Sequence, residues 1–264
     1  MPCGCGGPRP TRRAFLGMAG AATALPLAGC DGAVPSWLAD YLVPEALAAE
    51  LGRASFAEIL QRTPPVRDPA LQRRVAELGR RIVAASEPLW TDWRFVVLDG
   101  PQVNAFALPG GRVGVYAGML RTVGNEAQLA AVLGHEVGHV NARHAAQRIV
   151  AEQGVTMALR LGATLLALSD APVPPDLVVA LGGTAAEYGL IRPFGRSQEL
   201  EADRLGLSYM ARAGFDPAEA VAFWRRMLAL EDGNRLPAFL STHPASAQRI
   251  EALRAILPTI GGAV

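Results

Sequence analysis

The chain has 264 residues, of which 50% are hydrophobic and 19% are charged, and this composition excludes an intrinsically disordered protein. Its formal net charge of +1 gives no electrostatic reason to expect binding to nucleic acid. The three cysteines all lie within the first 30 residues, which excludes a disulfide-stabilised scaffold. No uncharged apolar run long enough to cross a bilayer follows residue 30, which argues against a polytopic membrane protein.

The first 29 residues have the pattern of an export signal. Arg9, Arg12 and Arg13 precede an uncharged apolar run over residues 14–29. A charged region followed by a short hydrophobic region is typical of a secretory signal peptide. The pair Arg12 and Arg13 resembles that of a twin-arginine signal, and a Sec-type signal that happens to hold two arginines is the alternative.

The apolar run ends at residues 27–30, Leu-Ala-Gly-Cys, which resembles a bacterial lipobox. The resemblance implies that residues 1–29 are removed and that Cys30 is lipidated, with residues 30–44 as a lipid-anchored tether. An ordinary cleavage site with a chance cysteine is the alternative. Acyl chains would hold the protein stably at a membrane, because each buried CH₂ contributes about 0.8 kcal/mol. Residues 45–264 would then form a domain that faces outwards from the cytoplasm.

The spacing of apolar residues predicts the elements of this domain in chain order. Helices are expected over residues 45–61 and 68–87, then strands over 94–98, 103–108 and 112–116, then helices over 125–150, 197–214, 216–231 and 245–256. The Pro-Gly-Gly sequence at 109–111 is typical of a hairpin turn. Asn125 with Gln128, and Asp216 with Glu219, are capping boxes that mark helix starts. These elements predict an α+β fold, a mainly helical single domain with a small antiparallel sheet.

Residues 155–191 contain two apolar runs divided by a proline-rich stretch. Each run is too short to span a bilayer. A helical hairpin packed on the core is the simpler interpretation. A cover over an active site, or an element that dips into a membrane, is the alternative.

The predicted helix that begins at Asn125 carries His135-Glu136-Val137-Gly138-His139, which is the H-E-x-x-H pattern. Four residues advance a helix by about 400°, so His135 and His139 share one face and lie roughly 6 Å apart. Both imidazoles can bind one Zn²⁺ at about 2.0–2.1 Å. Glu136 lies about 100° round the helix, where it can act as general base towards a metal-activated water.

A catalytic zinc needs a third protein ligand and an open fourth position. His144 lies five residues after His139, about 140° round a continuous helix, so it should point elsewhere and serve a structural or supporting role. Glu199 and Asp203 are four residues apart and share a face of a second helix. Glu199 can ligate zinc while Asp203 accepts the free N–H of a ligand histidine. Glu201 should face away.

Four sequence motifs together resemble the zinc metalloprotease family of HtpX, BepA and LoiP, relatives of the CAAX prenyl endopeptidases. They lie at 104–110, at 134–140 with Arg143 and His144, at 197–203, and at 242–244 with Arg249. The resemblance covers about residues 50–256 and supports Glu199 rather than Glu201 as the third zinc ligand. It also implies that His243 lies near the zinc, either stabilising the oxyanion or occupying the open position of a latent enzyme.

Two further residues are weaker candidates. Arg249 is a candidate contact for the oxyanion or a peptide carbonyl. Asn104 lies at the predicted strand 103–108, to which an extended substrate could pair, and its side chain would suit a substrate backbone contact. A purely structural strand is the equal alternative.

The sequence and the resemblance together predict an envelope zinc-dependent endopeptidase with one Zn²⁺ per chain. Its substrates would be unfolded or misassembled envelope proteins, and Cys30 would anchor it to a membrane of the bacterial cell envelope, facing the periplasm. A non-proteolytic zinc-containing envelope chaperone or assembly factor is the alternative. An aminopeptidase is a weaker one, since no motif for binding a free substrate amine is present.

Overall fold

In a computed structural model of the chain, the structure describes residues 36–150, 195–231 and 237–260. The predicted signal peptide, the lipobox at Cys30 and the apolar runs within residues 155–191 lie outside the described residues. Within the described ranges, no helix combines the length and apolar character needed to cross a membrane.

Helices account for most of the described chain, and a small sheet lies among them. The helices are α1 Ser36–Leu42, α2 Glu45–Arg62, α3 Pro69–Ala84, α4 Ala117–Thr122, α5 Glu126–Asn141, α6 Arg196–Arg212, α7 Ala218–Glu231, α8 Ala238–Thr242 and α9 Ala247–Ile260. The strands are β1 Arg94–Leu98, β2 Ala105–Leu108 and β3 Arg112–Tyr116. The predicted α+β class is confirmed.

Local side-chain caps explain where two of the helices begin. The Asp68 side chain accepts hydrogen bonds from the first turn of α3, which starts at Pro69. Asn125 caps α5 as expected, its Oδ1 accepting from the Gln128 backbone at 2.9 Å. Helix α6 begins at Arg196, one residue before the predicted start at 197, with Gly195 at the cap position.

The sheet is mixed, which corrects the expectation of an antiparallel one. The strand order is β1-β3-β2. The predicted hairpin joins β2 and β3 antiparallel, and its turn uses Gly110 and Gly111, whose φ angles are 76° and 73°. Strand β1 pairs with the other side of β3 and runs parallel to it. The hairpin signal determines only the β2–β3 pair, and nothing in the sequence pattern indicates the side on which β1 pairs.

Helix α5 lies at the centre of the core. It packs against α3, α6, α7 and β2. Its apolar side chains Val132, Leu133 and Val137 are at most 1% exposed. Because α5 is surrounded on several sides, the H-E-x-x-H sequence that it carries is held in the interior.

The helix predicted to run from 125 to 150 is broken. Helix α5 ends at Asn141, residues 142–143 form a turn, and residues 144–150 are again helical. Arg143 has a φ of 56°, a left-handed conformation that stops a continuous helix. The second half of the predicted tether is also folded, because α1 packs Ala39 and Leu42 against Ala146 and Val150.

Candidate metal centre

Two histidines of α5 face the same point in the interior. His135 and His139 lie on one side of the helix, and their Nε2 atoms are 3.0 Å apart. Both side chains are at most 3% exposed. The spacing of four residues produces this pairing, because it returns the chain to almost the same helical face.

Helix α6 adds two carboxylates to the pair. Glu199 Oε1 lies 3.3 Å from His139 Nε2, and Glu199 Oε2 lies 3.4 Å from His135 Nε2. One turn further along α6, Asp203 Oδ1 accepts from His135 Nδ1 at 2.9 Å. The structure therefore brings together the four residues that helical spacing had grouped as ligands and support.

Small residues allow α6 to approach α5 closely enough for these contacts. A Cβ atom on Gly206 would lie 2.9 Å from the His135 backbone nitrogen. A Cβ atom on Gly138 would lie 2.9 Å from the Ala202 carbonyl oxygen. Any side chain at either position would push the helices apart.

His243 reaches the same point from the end of α8. Its Nδ1 lies 3.0 Å from Glu199 Oε1 and 3.1 Å from His135 Nε2. Its Nε2 lies 3.4 Å from Glu136 Oε1. One donor atom from each of His135, His139, Glu199 and His243 lies within 4.8 Å of all the others, and all four residues are buried.

Arg249 of α9 contacts both carboxylates of the cluster. Its Nε donates to Asp203 Oδ2 at 2.6 Å, and its Nη1 lies 2.5 Å from Glu199 Oε2. The guanidinium also stacks on Trp224, with Cζ 3.6 Å from the ring centre. In this arrangement Arg249 neutralises buried negative charge and fixes both carboxylates.

The charges of the cluster set the protonation states of its members. Burial lowers the pKa of His139 well below its ordinary value, and the positive charge of His135 adds to this. Burial opposes ionisation of Glu199, but His243 and Arg249 outweigh it and lower its pKa well below the ordinary value. Burial also acts on His135, yet Glu199 and Asp203 outweigh it and raise its pKa to about 9. A metal ion binding here would therefore displace a proton from His135.

The donor set fits a divalent cation. All four donor atoms lie within 4.8 Å of one another. Neighbouring donors are closer: the two Nε2 atoms of His135 and His139 are 3.0 Å apart, and His135 Nε2 lies 3.4 Å from Glu199 Oε2. Tetrahedral ligands bound at about 2.0 Å lie about 3.3 Å from one another. Several lone pairs aimed at one point repel each other unless a positive charge lies between them. Imidazole with carboxylate is a ligand set that suits zinc among the divalent metals.

His144 contacts His139 from its outer side, where a continuous helix would not have placed it. Its Nδ1 lies 2.8 Å from His139 Nδ1, on the side of His139 opposite the metal point. Its Nε2 lies 3.2 Å from Glu201 Oε2. The turn at residues 142–143 produces this contact, because it shifts the direction of His144 from that of a continuous helix.

A cleft leads to the cluster along strand β2. It has a volume of about 180 Å³, and its walls include Asn104, Phe106, Glu136 and His243. The Asn104 Oδ1, Ser55 Oγ and Glu136 Oε1 atoms are buried, and none has a hydrogen-bond partner among the described residues. These atoms are available to hydrogen bond with a bound molecule. Among the described strands, β2 is paired on one side only, with β3.

Sequence reasoning missed Trp224 beneath Arg249 and Ser55 in the cleft. Both lie on helices that are predicted from their apolar spacing alone, and a tryptophan or a serine on such a helix gives no sign of a functional role. The contact between Glu201 and His144 was also missed. The one sequence signal for a role of His144 is its position, because two of the four histidines of the chain, His139 and His144, lie only five residues apart.

A helix bearing H-E-x-x-H with a glutamate from a second helix is the arrangement of a class of metallopeptidases. The chain matches peptidase family M48 over residues 65–257. It is 40% identical to the mitochondrial metalloendopeptidase OMA1 of Schizosaccharomyces pombe over 186 residues, 70% of this chain and 52% of that protein. The chain belongs to peptidase family M48, and membership implies a divalent metal ion.

Bacterial and animal proteins are also similar. The beta-barrel assembly-enhancing protease of Escherichia coli (strain K12) is 33% identical over 211 residues, 78% of this chain and 42% of that protein. The mitochondrial metalloendopeptidase OMA1 of Bos taurus is 35% identical over 196 residues, 72% of this chain and 36% of that protein. The chain thus spans about half of the length of these relatives, or less.

Proposed function

We propose that the protein is a zinc-dependent endopeptidase, with one Zn²⁺ held by His135, His139 and Glu199. The observation that carries the proposal is the convergence of these three buried donors beside Glu136, at the end of an open cleft. Family membership and the names of the relatives support it. Zinc is preferred over other divalent metals because of the imidazole and carboxylate donors.

Glu136 is the general base of this proposal. A zinc ion bound at the cluster would polarise the scissile carbonyl and lower the pKa of the attacking water. Glu136 then takes a proton from that water and later passes it to the leaving amine. Its buried carboxylate supports the role, since Oε1 accepts no hydrogen bond from the described residues and faces the cleft with His243.

Substrate would bind in an extended conformation along β2. The edge of this strand that no described strand pairs with would offer backbone donors and acceptors to a peptide by strand addition. Asn104 would hydrogen bond to the peptide through Oδ1, which lacks a partner among the described side chains and backbone. An extended segment must be locally unfolded to pair in this way, so unfolded or misassembled proteins are the substrates that we infer.

His243 supports two different roles. With His243 as a fourth donor the cluster is closed, as in structural zinc sites, whereas catalysis needs an open position. We infer a latent enzyme in which His243 leaves the metal when substrate binds, while Arg249 continues to fix Glu199 and Asp203. The alternative role for His243 is to stabilise the oxyanion. The same closed donor set favours the second candidate, a non-proteolytic zinc-containing chaperone or assembly factor.

We further propose that residues 1–29 are an export signal of the twin-arginine or Sec type, that Cys30 is lipidated, and that residues 45–264 form the metallopeptidase domain. The protein would then act on envelope proteins from a bacterial membrane, facing the periplasm. Support comes from the lipobox-like residues 27–30 and from the bacterial relative named as a beta-barrel assembly-enhancing protease.

Removal and return of the metal tests the enzymatic proposal. Purified protein should cleave an unfolded substrate such as casein, lose this activity with a zinc chelator, and regain it when zinc is returned. Glu199→Ala should bind zinc weakly and cleave little, because a ligand and its negative charge are lost. Glu77→Ala, which removes an exposed glutamate of α3, should behave as wild type. Cleavage that survives full removal of metal would contradict the proposal.

A further inference from the structure

We propose that His144 and Glu201 form a positioning chain behind His139, which fixes the orientation and tautomer of this metal ligand. The inference rests on the metal site of the proposed function and assigns two residues to its support. Both contacts of the chain lie within hydrogen-bond distance, 2.8 Å from His139 to His144 and 3.2 Å from His144 to Glu201. Neither residue belongs to the cluster of donors around the metal point.

The direction of the hydrogen bonds follows from the geometry of His139. Its Nε2 faces the metal point, 3.3 Å from Glu199 Oε1. To ligate the proposed zinc, this nitrogen must offer its lone pair and carry no hydrogen. The hydrogen of a neutral ring is therefore on Nδ1, which donates to His144 Nδ1. His144 then carries its own hydrogen on Nε2 and donates it to Glu201 Oε2. Each neutral ring thus has one nitrogen that donates a hydrogen bond and one that offers a lone pair, and in this arrangement both nitrogens of each ring have a partner.

The two histidines of the H-E-x-x-H sequence are supported in parallel ways. His135 donates from Nδ1 directly to a carboxylate, that of Asp203, at 2.9 Å. His139 reaches a carboxylate through one intervening imidazole. Outer carboxylates of this kind orient metal-binding histidines and raise their basicity. The acidic residues of α6 thus serve both ligands, with Asp203 behind one and Glu201 behind the other.

The backbone around Arg143 provides the geometry that the chain requires. A continuous α5 would direct His144 away from His139, whereas the positive φ of Arg143 turns residues 144–150 back towards it. Arg143 is held in this conformation by Asp40 of α1, whose Oδ1 lies 3.0 Å from Nη1, and by the Val43 carbonyl, to which Nη2 donates. A strained non-glycine residue secured by two partners indicates a position that the fold maintains for its neighbours.

The inference can be tested by zinc affinity, measured by competition with a chelator on the metal-free full chain. His144→Phe removes the acceptor for His139 and should raise the zinc Kd about 10- to 100-fold. Glu201→Ala acts one step further out and should raise it about three- to tenfold, and Glu201→Gln, which keeps an acceptor oxygen, should restore most of the affinity. The Glu201 side chain is 47% exposed, so its variants should unfold at the wild-type urea concentration. Glu77→Ala again serves as the control for loss of one negative charge.

The outcomes separate this inference from the proposed function. A wild-type chain that binds no zinc would overturn both. Zinc binding by wild type with the same Kd in Glu201→Ala and His144→Phe would overturn the positioning chain alone. If His144→Phe does not fold, the inference is decided by the zinc Kd of three other variants, Glu201→Ala, Glu201→Gln and Glu77→Ala. Equal loss of affinity in Glu201→Ala and Glu77→Ala would contradict the chain, since only overall charge would then matter.

Discussion

His243 is the residue that separates a resting enzyme from an active one in this account. Its Nδ1 lies 3.0 Å from Glu199 Oε1 and 3.1 Å from His135 Nε2, where a fourth ligand would bind. Its Nε2 lies 3.4 Å from Glu136 Oε1, so the same ring also faces the proposed base. In the proposed mechanism a substrate carbonyl and an attacking water need this space, so His243 would have to move before cleavage.

Replacement of His243 by alanine should increase cleavage of casein. If about one wild-type molecule in ten has the fourth position open at any time, the gain is about tenfold. Zinc should remain bound, because His135, His139 and Glu199 are retained. The measurement is the initial rate at equal zinc content, with Ser241→Ala in α8 as the control. A large fall in rate would contradict the latent state and favour a role for His243 in stabilising the oxyanion.

Helical spacing alone grouped most residues of the candidate site. His135 with His139, and Glu199 with Asp203, are both pairs four residues apart, and such pairs share a face in any α-helix. His144 could not be predicted in the same way, because its direction depends on the turn at residues 142–143. That turn is secured by Asp40, about a hundred residues earlier in the chain, and a local pattern carries no information on such a contact.

At the scale of elements, the close contact of α5 and α6 determines whether the ligands meet. At Gly206 the two helices are too close for any side chain. An added Cβ atom would lie 2.9 Å from the His135 nitrogen and 3.0 Å from the Gly134 carbonyl carbon. These are backbone atoms of a buried helix, which cannot turn aside as a flexible side chain can.

Gly206→Ala should therefore weaken both the fold and the metal site. Separating the helices should lower the free energy of unfolding by about 1–3 kcal/mol. It should also raise the zinc Kd, because Glu199 and Asp203 move with α6. Arg204→Ala, which changes an exposed residue of the same helix, is the control. Urea unfolding and chelator competition measure the two effects, and wild-type values for Gly206→Ala would refute the argument.

The elements themselves were predicted with different success. Strands β2 and β3 follow from a local turn sequence, and helices α2, α3, α5, α6 and α7 follow from apolar spacing and caps. The parallel pairing of β1 with β3 has no local signal, because β1 is held by packing against α3 rather than by a turn to the hairpin. Helix α1 was missed for a similar reason, since its burial comes from contact with residues 144–150.

At the scale of the whole molecule, the proposed anchor determines where the enzyme meets its substrates. We expect full-length protein produced in a bacterium to be processed and recovered with membranes. The Cys30→Ser variant should not be processed by the lipoprotein pathway and should incorporate no labelled fatty acid. After purification, the same variant should cleave casein at the wild-type rate. Fatty-acid labelling that persists in Cys30→Ser, or wild-type protein without any label, would contradict the anchor.

In the proposed mechanism Glu136 connects the metal centre to peptide hydrolysis, and its replacement tests the central claim most directly. Casein cleavage should be compared between wild type and Glu136→Gln, each alone and combined with His243→Ala, at equal zinc content. The account predicts one zinc per chain in every protein and a loss of rate of about 10²- to 10⁴-fold on replacing the base. Cleavage by Glu136→Gln at the wild-type rate would contradict the mechanism. Absence of cleavage in all four zinc-loaded proteins would favour the non-proteolytic chaperone instead.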